Sequence, residues 1–201
     1  MQFDELNHAL SARGFLPQSF SAAAEARQAA LDIIGDRSVG IGGSATVRDM
    51  GLYEALAQRG NPVHWHWKVA QPNKQRERDA ALTADVYLSS ANAILTDGRI
   101  LNIDGTANRV AGLIYGPPAV IVIAGRNKIV SSIDEGIQRT RRDCCPENAR
   151  RLGLDTPCAR TGRCADCRTA SRMCNVITIH EAPTRVVKEF HVLLVDEDLG
   201  L

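Results

Sequence analysis

Residues 119–124, AVIVIA, are six apolar residues in a row, the longest strongly apolar run in the chain. The run is far too short to span a bilayer. As a strand it has no polar face, so it predicts a strand buried on both sides, the kind found in parallel sheets covered by helices. The rest of the sequence alternates to match. Phe3, Leu6 and Leu10 recur at helical spacing, and 22–34 is an Ala-rich helix candidate, so 1–35 reads as a helical segment. A short strand at 38–41 precedes Gly42-Gly43-Ser44. A helix follows with Val47, Met50, Tyr53 and Leu56 as its apolar stripe. Strands are predicted at 63–67, 85–89, 176–180 and 190–195, and helices at 73–82, 106–115 and 146–152. Asp97-Gly98 between 94–96 and 99–103 is a hairpin signal. Ser132 to Glu135 is a capping box opening a helix that runs towards Arg142. The expectation is an α/β fold with a mostly parallel central sheet flanked by helices, plus some antiparallel pairing.

With 201 residues the chain fits one domain, 1–201, large enough to bury a core without a disulfide framework. A net charge of +1 argues against a non-specific nucleic-acid binder. The N-terminal MQFDELNHALSARGF has an acidic pair and no apolar stretch of the secretory kind, so the expected location is cytoplasmic, with no membrane span.

All six cysteines fall at 144–174, in a segment where nine Arg and no Lys between Arg139 and Arg172 meet four acidic residues. Cys158, Cys164, Cys167 and Cys174 can converge on one centre. Thiolates are soft ligands suited to zinc or an iron–sulfur cluster, and neighbouring Arg favours the thiolate form. The spacing fits neither the common zinc ribbon nor the compact ferredoxin run, so the residues leave the two metals open. Disulfides are disfavoured in a reducing compartment. Cys144 and Cys145 read as small buried apolar residues.

In an α/β sheet, ligands bind beyond the carboxyl ends of the strands. The turns at 42–46, 89–92, 102–109 and 125–128 all follow strand candidates. Gly42, Gly43, Ser44 and Thr46 would let an anion approach backbone N–H groups at a helix start, although helix capping by Ser44 explains the same residues. Asn102, Asp104, Thr106, Asn108 and Arg109 form a polar turn in which Arg109 is suited to grip a carboxylate or phosphate through two N–H groups. Asn127 and Lys128 add further donors. His64-Trp65-His66-Trp67 is read as a strand with Trp packed inward and the His face partly exposed. Asp196-Glu197-Asp198 reads as a solvated tail or, less economically, a source of a base or nucleophile. No dinucleotide or phosphate-loop fingerprint is present.

The segments GGSATVRDMGL, SSANAILTDGRILNIDGTANRVAGLIYGP, AGRNKIV, TPCARTGRCADCRTASRMCNV and VDEDLGL, in this order, resemble the lactate-utilisation (LUD) domain family over about residues 20–201, in its stand-alone branch with an extra four-cysteine motif. The resemblance implies a fold like the ribose-5-phosphate isomerase and coenzyme A transferase group. It also implies a place in lactate oxidation to pyruvate, beside iron–sulfur partner proteins. Three functional readings follow. The first is an accessory or regulatory component that binds a small carboxylate or phosphate and a metal or iron–sulfur centre. The second is a transferase- or isomerase-type enzyme with a structural zinc, for which Glu197 is the one late nucleophile candidate. The third is a zinc-stabilised interaction module in which Arg160, Arg163 and Arg168 dock an acidic partner.

Overall fold

A computed structural model describes residues 3–201. The apolar run at 119–124 becomes β7 (Ala119–Gly125), buried along its whole length. It lies in a parallel six-stranded sheet with β1 (Leu16–Phe20), β2 (Val39–Ile41), β3 (Val63–His64), β4 (Val86–Ser89) and β10 (Glu189–Val195), in the order β1-β10-β7-β4-β2-β3. Side chains alternate across β7. Ile121 and Ile123 pack with α2 (Ala23–Ile34) and α4 (Leu52–Gln58) on one face, and Val120 and Val122 pack with Leu10, Phe15 and Phe190 on the other. Both faces are therefore dry, which is why the strand needs no polar side.

A second sheet, β8-β5-β6-β9, sits beside the first. The hairpin of β5 (Ala93–Leu95) and β6 (Ile100–Asp104) turns at Gly98, whose φ of +87° suits glycine. Strand β8 (Ile129–Val130) adds parallel to β5, and β9 (Val176–His180) antiparallel to β6. Among the described residues, no helix is long and apolar enough to cross a membrane.

Four local expectations change. Residues 1–35 are not wholly helical: β1 lies between α1 (Asp4–Ala12) and α2 as an edge strand, where Pro17 is tolerated because one strand edge has no partner. The helix expected after Gly43 is two helices, α3 (Ala45–Asp49) and α4, broken at Gly51 with φ +63°. The strand expected over 63–67 stops at His64, and Trp65 and Trp67 stack at 5.1 Å instead of sharing a strand face. The cysteine loop contains a short helix, α9 (Pro157–Thr161), started by Thr156, whose side chain accepts from the N–H of Ala159. The helices α5 (Lys74–Ala81), α6 (Asn108–Ile114), α7 (Ile133–Arg139) and α8 (Cys145–Arg151) complete the fold.

Candidate functional site

The chain reverses its direction of travel across the main sheet between β2 and β4, since β3 adds outside β2 and β7 adds outside β4. Such a reversal splays the loops apart at the carboxyl ends of the strands and leaves a crevice. A cleft of about 760 Å³ opens there. Its walls are the turn after β2 (Gly43 to Thr46), the turn after β4 (Ser90 to Asn92), the end of β6 and its following turn (Ile103 to Arg109), and Lys128. His66, Trp67, Cys144 and Cys145 also line it, with Met173 of the cysteine segment. Eight cationic side chains border the cleft: Arg48, Lys68, Lys74, Arg78, Arg109, Lys128, Arg151 and Arg172. Asp104 is the one acidic side chain among its lining residues.

The polar floor is built from inside. The buried guanidinium of Arg109 donates from Nη1 to Asn102 Oδ1 and to the carbonyl of Ser90 (3.3 Å), and from Nη2 to Asn92 Oδ1 (2.9 Å) and the carbonyl of Ile103 (2.8 Å). Its Nε lies 3.4 Å from Asp104 Oδ2. All five N–H groups of an arginine are then engaged within the protein. The two-pronged grip on a ligand expected of Arg109 is not open to it; its charge still reaches the cleft, while its donors hold the loop. Gly42 stands behind it, because a Cβ there would lie 2.9 Å from Arg109 Cγ.

Asp104 Oδ1 accepts from the N–H groups of Thr106 (3.1 Å) and Ala107 (3.0 Å), bending the chain into α6. Ala107 takes the left-handed conformation, φ +66°, which is uncommon for a residue with a Cβ. Asp104 Oδ2 is buried and has no hydrogen-bond partner, only the ion pair with Arg109. Lys128, only 3% exposed, donates to Thr46 Oγ1 and Ser90 Oγ, both at 2.9 Å. Burial is the main force pushing its amine down to about 7, with Arg139 and Arg109 pushing the same way and Cys144 and Asp49 opposing. His66 is likewise pushed down to about 4, first by burial and then by Arg78 and Lys74, so it is neutral near pH 7.

Behind the cleft, α7 runs into a single π-turn, Thr140–Cys144, before α8. Arg139 ties this turn to the cleft floor by donating to the carbonyls of Asn127 (2.6 Å) and Asn92 (2.8 Å) and to Cys144 Sγ (3.1 Å). Beyond it, Cys145, Cys158, Cys164, Cys167 and Cys174 all line one small cavity of about 20 Å³, room for a single small ion. Cys145 and Cys174 lie sulfur to sulfur at 3.2 Å. This contact, with Arg172 and Arg141 nearby, pulls the Cys174 thiol down, and the same contact together with burial pushes Cys145 up. All six cysteines are free thiols. Among the described residues, no three His, Cys, Asp or Glu side chains are drawn together as a metal-holding group. The donors suit a soft cation in kind, and in this conformation they border the cavity without closing on one point.

The sequence matches the family model of the LUD domain over residues 3–195. The chain belongs to the LUD-domain family. Its fold is similar to that of a solved DUF162-family protein from Deinococcus radiodurans, with a TM-score of 0.55 and 19% identity, covering 97% of this chain and 99% of that one. At that identity the likeness speaks to fold alone. No curated protein matches the chain.

In this LUD domain, eight of the eleven residues proposed from sequence as ligand-facing border the cleft: Gly43, Ser44, Thr46, Asp104, Thr106, Asn108, Arg109 and Lys128. The other three support it from behind. Gly42 packs on Arg109, Asn102 is fully buried and accepts from Arg109, and Asn127 Oδ1 accepts from the N–H of Leu199 (3.1 Å). Ser44 also caps α3, accepting from the N–H of Val47 (3.2 Å), so both readings of that turn apply to one residue. His66, expected to be partly exposed, is buried at the cleft wall. Glu197 is exposed, is not among the lining residues, and accepts from the N–H of Arg126 through its carbonyl; Asp196 and Asp198 both pair with Arg126. The side-chain carboxylates of Asp196, Glu197 and Asp198 are thus not part of the cleft wall, although Leu201 is. The sequence reading missed the cleft roles of Ser90, Asn92 and Cys144, of Arg48, Lys74 and Arg78, and of Arg151, whose guanidinium lies 4.4 Å above the Trp67 ring. Ser90 and Asn92 stood within a turn already marked by its position after a strand; the others carried no local signal.

Proposed function

We propose that this LUD protein is an accessory or regulatory component of lactate oxidation to pyruvate, working beside iron–sulfur partner proteins, and that its cleft binds a small carboxylate or phosphate. One observation supports the reading above the others: eight cations and a single carboxylate side chain border the cleft. A concave, partly desolvated wall of one sign concentrates small anions of the other sign. The rim cations Arg48, Lys74 and Arg78 are the donors nearest to hand, because those of Arg109 are committed to the fold and Lys128 donates to Thr46 and Ser90. Cys158, Cys164, Cys167 and Cys174 would hold a metal, with Cys145 bordering the same cavity. Zinc there would clasp the segment; an iron–sulfur cluster would supply one-electron chemistry, and being larger than the cavity of about 20 Å³ it would require the segment to open.

Calorimetric titration with pyruvate, lactate and inorganic phosphate tests the cleft. At least one should bind, more weakly as salt rises, and charge reversal at Lys74 and Arg78 should weaken it further. Absence of binding by all three anions would refute the reading.

A second reading, an enzyme of isomerase or transferase type, is favoured by the pairing of an orphaned carboxylate oxygen on Asp104 with a weakly basic Lys128 in one cleft. Within it, acyl transfer through a glutamate has no candidate, since no Glu lines the cleft.

A further inference from the structure

We infer that the Lys128 amine is a nucleophile that condenses with the carbonyl carbon of a small anionic carbonyl compound held in the cleft. The inference rests on the anion-binding reading of that cleft and adds the chemistry done there. The geometry around Nζ carries it. Thr46 Oγ1 points its own hydrogen at the carbonyl of Leu199 and Ser90 Oγ at the carbonyl of Ala91, both at 3.4 Å. Each hydroxyl is therefore an acceptor towards Lys128. A neutral amine placed there spends both N–H groups on the two hydroxyls, and its lone pair has no protein donor. Among the described residues no carboxylate forms an ion pair with Nζ, and Lys128 is one of the residues lining the cleft. The backbone beneath it is fixed: Lys128 ends a tight 3-10 turn whose middle residue, Asn127, is held by Arg139 through its carbonyl and by Leu199 through its side chain.

A buried lysine beside other cations, without a carboxylate partner, is the arrangement that keeps an amine uncharged and reactive near neutral pH. The lowered basicity of Lys128 agrees with this and has the same origin in burial and in Arg139 and Arg109. The positive walls select the substrate class: a carbonyl group carried next to a carboxylate or phosphate. In the step, the Nζ lone pair forms the C–N bond and the carbonyl oxygen takes up protons and departs as water. The nitrogen is left doubly bonded to carbon as a protonated imine, and no electron donor or acceptor is consumed.

The test is reductive trapping on the full chain. Pyruvate and dihydroxyacetone phosphate are each incubated with the protein and sodium cyanoborohydride, and the modified peptide is located by mass spectrometry. The expected result is modification of Lys128 at least about tenfold faster than of Lys68, Lys74 or Lys188, as its larger free-amine fraction requires. The rate should rise with pH and level off above about 7, where an ordinary lysine would still be gaining. Which of the two probes traps identifies the carboxylate or the phosphate as the preferred anion. Equal labelling of all four lysines, or no adduct on Lys128 with either probe, would overturn the inference. Calorimetry on the same samples separates the two levels: binding without an adduct removes the nucleophile and keeps the anion cleft, and no binding removes both. Because the wild-type protein is mapped directly, the result does not depend on a folded Lys128 variant.

Discussion

At the cleft, Arg109 gives its four Nη donors to acceptors on two segments, the turn after β4 and strand β6, and Asn102, Asp104 and Lys128 are nine-tenths buried or more. In the cysteine segment, Cys164 is exposed and accepts only a long contact from the N–H of Asp166 at 3.4 Å, and Cys167 has a hydroxyl of Thr169 at 3.8 Å. The cysteine segment has a few ties, among them Arg150 Nε donating to the carbonyl of Ala159 (2.9 Å) and the contact of Cys174 with Cys145. Arg172 donates to the carbonyls of Cys167 and Cys174, and the N–H of Asn175 reaches the carbonyl of Asp104 (2.9 Å). The contrast separates two ways of making a site. The cleft is largely completed by the polypeptide, which pairs most of its buried groups before any ligand arrives and leaves Asp104 Oδ2 and Asn102 Nδ2 without hydrogen bonds. The cysteine segment surrounds a small cavity with soft donors that have weak partners, and a bound cation is what would complete it.

Removing the central tie of the cleft should have the largest effect. Arg109→Ala removes four hydrogen bonds, to Asn102, Asn92 and the carbonyls of Ser90 and Ile103, together with the cation paired with Asp104, and should destabilise the domain by about 3–5 kcal/mol in denaturant unfolding. Arg109→Lys should rescue little of this, since an ammonium cannot span four acceptors. A near-normal melting temperature in the alanine variant would show that the cleft floor is not built as described.

Next in size is Cys164→Ser. It should lower affinity for added zinc, or iron–sulfur occupancy after anaerobic preparation, by more than about a hundredfold, because outer-shell changes alone cost up to that much. Pyruvate or phosphate binding at the cleft should stay within about twofold, because Cys164 lines the cysteine cavity and not the cleft. Unchanged metal content would remove the distinction between the regions.

The smallest effect concerns Lys128. Its basicity is low in the folded protein and ordinary once unfolded, so between about pH 7 and the ordinary lysine value of 10.5 the unfolded chain holds more protons. Wild-type stability therefore rises with pH across that window, and the burial cost is fully present below it. Lys128→Met should gain on the order of 1–2 kcal/mol at or below about pH 7, and lose that advantage as pH climbs towards 10.5. Thermal melts of both proteins across this range check the sign.

Much of this was legible in the residues. The apolar run at 119–124 and the helix–strand alternation pointed to a parallel sheet, and turns after strands marked the cleft walls, because those signals are local. The edge strand β1 was not legible, since LPQSF has no buried face to impose a pattern. The short β3 was misjudged because stacking of Trp65 on Trp67, a tertiary contact, outweighs the alternation of HWHW. Arg109 looked like a ligand grip because its sequence neighbours cannot show that Ser90, Asn92 and Asn102 converge on it. Cys145 looked like packing alone because its partner Cys174 is 29 residues away.

Hydrogen exchange, followed by mass spectrometry before and after chelation of one metal-loaded sample, compares the two regions in one experiment. The account predicts that peptides across 156–175 lose protection when the metal is removed, while those across 102–109 and 126–128 keep theirs. Loss of protection in the cleft to the same degree, or no change anywhere across 156–175, would contradict it.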